Sequence, residues 1–151
     1  MRLTLLIVVL GTLVSYIVHG SSARAWDRTT REACRLADRQ DWKGAIAAFR
    51  ASATLMQHER PAEARRLYTL NELAITLCAA GDLEGAIPVY EQLLTAMLSV
   101  ASASDPTVRR VAGSLSKVHR RLAVTYLEQK DWPRAREILR KQLVLRKLVA
   151  L

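Results

Sequence analysis

Apolar residues recur along this chain at helical spacing. Leu70, Leu73, Ala74 and Leu77 mark one face of a helix. Ala79-Ala80-Gly81 ends it, and Gly81 is free to take the left-handed conformation just past a helix end. Asp82 follows as a ready N-cap, and a second stripe begins at once with Leu83, Ala86, Ile87, Tyr90, Leu93 and Leu94. Two helices joined by so short a turn predict an antiparallel hairpin. Ala74 and Ala86 are small where the helices would cross, which permits a close approach.

The same pattern is written twice more. Gln40-Asp41-Trp42-Lys43-Gly44-Ala45-Ile46-Ala47-Ala48-Phe49 parallels Gly81-Asp82-Leu83-Glu84-Gly85-Ala86-Ile87-Pro88-Val89-Tyr90. Downstream, Leu122-Ala123 and Tyr126 take the places of Leu73-Ala74 and Leu77. Lys130-Asp131-Trp132 and Ala135 take those of Gly81-Asp82-Leu83 and Ala86. The three turn aspartates stand 41 and 49 residues apart. A repeated helical hairpin is the mark of a solenoid.

The remaining elements fall into line. Asp27 is expected to cap the first helix, with Ala33, Leu36 and Ala37 inward. The second starts at Trp42 and carries Ala45, Ile46, Phe49, Ala53 and Met56. Pro61 is expected to open the third, where a missing N–H costs little. Pro88, inside the fourth, should bend it. Residues 101–106 form the main linker, Asp105 capping and Pro106 opening a long fifth helix to about Gln129. Its inward stripe is Val111, Leu115, Val118, Leu122 and Tyr126. The sixth begins after Asp131 and runs to the end. Strand signals are absent, so the fold class is all-α.

These residues resemble the tetratricopeptide-repeat family. The likeness rests on L-A-x-x-[LY] in each first helix and [GQK]-D-[LW]-x-x-A-[IR]-x-x-[YFL] in each second. The middle copy matches well. The third matches less fully, and the first matches only in its second helix. The period is longer than the usual 34, and the family's closing proline is missing. The resemblance implies a right-handed solenoid of three antiparallel hairpins and a binding scaffold, without naming a partner.

Charge adds a polarity to this picture. The chain of 151 residues carries a formal net charge of +9. Residues 26–106 hold nine Lys/Arg against eleven Asp/Glu, whereas residues 107–151 hold twelve against three. The basic field is therefore concentrated in the last third, where it favours an acidic partner or surface.

At the start, Leu3 to Val18 is an apolar run broken only by Gly11, Thr12 and Ser15. It is long for a signal-peptide core and slightly short for a spanning helix. Arg24, Arg28 and Arg31 follow it, which favours a retained single-pass anchor contacting membrane through residues 3–18. Trp26 would suit the interface. Ala23-Arg24-Ala25 offers a cleavage site, and the alternative is a secreted or periplasmic adaptor with its signal removed. The expected organisation is an anchor or signal over residues 1–25 and a helical-repeat domain over residues 26–151.

Catalytic constellations are missing. No G-x-S-x-G, H-E-x-x-H, P-loop or Gly-rich phosphate loop is present, and the histidines are scattered. The expectation is no enzyme, no metal and no cofactor. Cys34 and Cys78 form no C-x-x-C and are expected to be buried core thiols. Nucleic acid is disfavoured because aromatics are not interleaved with the arginines.

Binding is the better-supported function. In the resembled family the first helices line a concave groove. That register offers Tyr68 and Asn71 in the middle repeat, and Lys117, Arg120, Arg121 and Val124 in the third. One subset of the family clamps the C-terminal carboxylate of heat-shock chaperones. Lys117 and Arg121 fall at its last two places, but Thr30, Cys34 and Glu72 occupy the others, and Glu72 would repel a carboxylate. The last helix is both basic and apolar. No capping helix follows it in this chain, so Arg140, Lys141, Leu145, Arg146, Lys147 and Leu148 are expected at an interface. Ile138, Leu139 and Leu143 are expected to pack on the preceding helix.

Overall fold

The computed structural model describes residues 23–57 and 63–149. Six helices run through them: α1 over residues 23–38, α2 Trp42–Leu55, α3 Ala64–Ala79, α4 Leu83–Leu98, α5 Pro106–Glu128 and α6 Trp132–Val149. Each of α2 to α5 packs on the helix that follows it. The result is three successive hairpins, α1–α2, α3–α4 and α5–α6, stacked in chain order.

The hairpin turns are near copies of one another. Gln40, Gly81 and Lys130 all take positive φ, at 60°, 84° and 60°. Each reverses the chain so that the next aspartate can cap. Asp41 accepts from the Gly44 amide at 3.0 Å, Asp82 from Gly85 at 2.8 Å and Asp131 from Arg134 at 3.2 Å. A Cβ built at Gly44 or Gly85 would lie 2.5 Å or 2.4 Å from the capping carboxylate. The glycines leave room for a close cap, and at Arg134, where a side chain is present, the cap is longer.

The core runs along the inner faces of α3, α4 and α5, from Leu70, Leu73 and Leu77 through Leu83, Tyr90 and Leu93 to Val108, Leu115 and Leu122. Polar ties join the hairpins. The Tyr126 hydroxyl of α5 donates to Glu84 of α4 at 2.5 Å, and Arg134 lies over the Tyr126 ring at 5.6 Å. Inside the first hairpin, Thr30 and Ser52 share a buried hydroxyl hydrogen bond of 2.6 Å.

Two expectations are corrected, for Asp27 and for the cysteines. Asp27 does not cap α1, because residues 23–27 are already helical; it pairs with Arg31 one turn on. Trp26, expected to suit a membrane interface, packs on the second hairpin. Its indole donates to Thr69 of α3 at 2.8 Å, its ring meets Tyr68 edge-on and Arg65 stacks on it. Glu63 is the α3 cap, accepting from the Arg65 and Arg66 amides at 2.7 Å and 3.2 Å. Cys34 and Cys78 are half-buried at the core margin, and both are free.

Pro88 is exposed on an α4 helix that continues through it to Leu98. Pro61 and His58 lie outside the described residues, as do residues 1–22 of the membrane or signal segment expected at residues 1–25; residues 23–25 belong to α1. Among the described residues no helix is long and apolar enough to cross a membrane.

Candidate functional site

Each hairpin turns its first helix partly outward, and α3 and α5 carry the residues read as a groove. Tyr68 is 44% exposed, in the corner formed with Trp26, and its hydroxyl lies 3.8 Å from the Cys34 sulfur. Burial, with that thiol as hydrogen-bond partner, pushes its pKa up to about 12. Asn71 is half-buried and donates to its neighbour Glu72 at 3.0 Å. Burial raises the Cys78 thiol pKa, with Arg121 acting in the opposite sense. Thr30, one of the clamp positions, is buried against Ser52 and cannot reach a ligand.

Lys117, Arg120 and Arg121 project from α5, with Val124 exposed beside them. None of the three makes an ion pair among the described residues. The same is true of Arg140, Arg146 and Lys147 on α6. Lys141 pairs with Glu137 at 3.6 Å.

One site residue is corrected. Leu145 is 6% exposed and belongs to the core, together with Ala135 and Ile138. Leu139 and Leu143, expected to pack inward, are 44% and 56% exposed. The face of α6 that meets α5 runs through Ala135, Ile138, Gln142 and Leu145. Gln142 completes it by donating to Ser116 at 3.2 Å.

Two depressions, each of about 430 Å³, flank α6. One lies between α5 and α6, lined by Leu127, Trp132, Leu139 and Leu143 with Arg136 and Arg140. The other lies between α4 and α6 over α5. It brings Arg140, Lys141, Leu145 and Leu148 together with a residue that sequence reasoning missed, His119. His119 is 1% exposed, and neither ring nitrogen has a hydrogen-bond partner among the described residues. Burial, with Lys141 nearby, lowers its pKa. The missed signal was periodic, since Leu115, His119, Leu122 and Tyr126 follow helical spacing on the inward face of α5. Among the described residues no group of His, Cys, Asp and Glu is placed to hold a metal.

Stacked antiparallel hairpins define a helical-repeat fold. Residues 69–103 and 118–149 match the tetratricopeptide-repeat model, so the resemblance read in the sequence holds for the second and third hairpins. Two solved structures of a Podosopora anserina protein, described as a putative kinesin light chain of nearly identical TPR-like repeats, have the same fold. Each superposes with a TM-score of 0.53 at 16% identity over 80% of this chain. This chain covers 55% of the first and 54% of the second, which is a point variant of the same protein. No curated protein matches the chain.

Proposed function

We propose that this chain is a non-catalytic interaction scaffold whose basic third docks an acidic segment of a protein partner. The observation that carries the reading is the set of exposed cations on α5 and α6. Lys117, Arg120, Arg121, Arg140, Arg146 and Lys147 have no ion pair among the described residues, so their field is open to a partner. Exposed Val124 and Leu148 supply apolar contact beside them. The tetratricopeptide repeats support the coarse role, since such hairpin arrays present extended binding surfaces.

The apolar run at residues 3–18 supports the finer reading. It makes the chain a single-pass, membrane-held accessory subunit of a larger complex. A signal removed at residues 23–25 would make it a secreted or periplasmic adaptor instead, and the amino terminus of the mature chain separates the two.

The test of partner docking is charge reversal. In the full chain, Lys117→Glu, Arg120→Glu and Arg121→Glu together should abolish co-purification of the partner while leaving the helical content unchanged. A triple variant that retains its partner contradicts the proposal. Truncation after Arg140 is a poor substitute, because it removes Leu145 from the core and confuses lost binding with lost folding.

A further inference from the structure

The depression between α4 and α6 contains features that an acidic partner does not explain. α4 and α6 both reverse direction relative to α5, so the groove has two distinct ends. Near one end lie Glu91, Thr95, His119, Glu137 and Lys141. Toward the other lie Leu98, Leu115, Val144, Leu145 and Leu148. At the polar end, His119 is buried with both ring nitrogens unpartnered among the described residues. Buried polar groups in native structures nearly always have partners, so an unpartnered imidazole bordering a cavity calls for one.

We propose that this groove binds a small neutral amphiphile, an aliphatic chain ending in a hydroxyl or primary amide. The head hydrogen-bonds to His119 and the tail lies along Leu98, Leu115, Val144 and Leu148. The volume of about 430 Å³ falls in the range of small-molecule sites.

The charge at the mouth selects a neutral head. Glu91 and Glu137 equal Arg140 and Lys141 in number, so the residues lining the mouth carry no net charge. The imidazole has a matching preference. Neutral histidine presents one donor and one acceptor, a hydroxyl or amide answers both kinds, and a carboxylate only accepts while an ammonium only donates. The depressed basicity of His119 is consistent with this, since burial keeps the ring neutral. The head reaches the ring past Lys141, which lines the same end of the groove and pairs with Glu137 at 3.6 Å.

The experiment uses the full chain and a photoreactive diazirine analogue of 1-octanol, with 1-octanol as competitor and the labelled peptides mapped. The proposal expects labelling at the Leu98 and Leu148 ends of α4 and α6, displaced by excess 1-octanol. Leu148→Lys, at an exposed wall position, should abolish that labelling without loss of helix. His119→Leu, which leaves the apolar wall intact, should weaken competition by 1-octanol roughly five- to tenfold, the loss of one hydrogen bond. Three results would overturn the proposal: labelling that 1-octanol does not displace, labelling confined to residues 3–18 or to Trp132 and Leu143, or competition unchanged in His119→Leu. The first is also the result expected if the floor holds only water, or if the groove takes a protein segment.

Discussion

Asp41, Asp82 and Asp131 perform one task in three turns, and the residue before each sets its cost. Gly81 adopts φ of 84° without strain, but Gln40 and Lys130 hold 60°, where a Cβ crowds the following carbonyl. Gln40→Gly and Lys130→Gly should each stabilise the fold by about 0.5–1 kcal/mol, after allowing for the freedom glycine adds to the unfolded chain. Gly81→Ala should destabilise by about 1 kcal/mol or more. Chemical denaturation of the three variants checks both signs. His119 supplies a second residue-scale test. Its pKa is lowered in the folded chain, so as pH falls the unfolded chain takes up the proton first. The stability it permits is complete above the unfolded value of about 6.5 and declines as pH falls below that. The melting temperature should therefore drop between about pH 7 and pH 5, and His119→Leu should flatten that slope. A slope identical in the variant would show that His119 does not contribute.

The helices themselves were largely legible in the sequence, because caps and stripes are local signals. Asp41, Asp82, Asp105 and Asp131 cap where the pattern places them, and α5 ends within a residue or so of expectation. α6 was misread for a definite reason. Two stripes run along it at helical spacing, one through Ala135, Ile138, Gln142 and Leu145, the other through Trp132, Leu139 and Leu143. The second is richer in leucine, so hydrophobicity alone favours it. The first is the buried one, because its polar member Gln142 finds Ser116 across the interface. Leu145→Ala should accordingly cost about 2–4 kcal/mol, whereas Leu143→Ala should stay within about 0.5 kcal/mol. Equal losses in denaturation would contradict the assigned face. The start of α1 was hidden for a different reason. Asp27 has the chemistry of a cap, and only the tertiary contact of Trp26 with Thr69 shows that the helix already includes it.

At the scale of the whole molecule, the three hairpins divide the work. The first two carry nearly balanced charge and much of the core; the third carries the positive excess on exposed faces. The site was only partly legible. Lys117, Arg120, Arg121, Arg140, Arg146 and Lys147 are exposed as charge alone would suggest, but the groove that gathers Arg140 and Lys141 around His119 depends on how α4 and α6 are spaced over α5. That spacing is a property of packing, which no single helix records. The central claim is that the basic third holds an acidic partner, and a screened charge contact should release it. The most direct measurement is therefore the native mass of the full chain extracted gently from its source cells, taken at low salt and again in about 1 M salt, where the Debye length shrinks to about 3 Å. The account predicts a larger assembly at low salt that falls apart to the lone chain at high salt. A chain that migrates alone under both conditions, or in an assembly indifferent to salt, would contradict it.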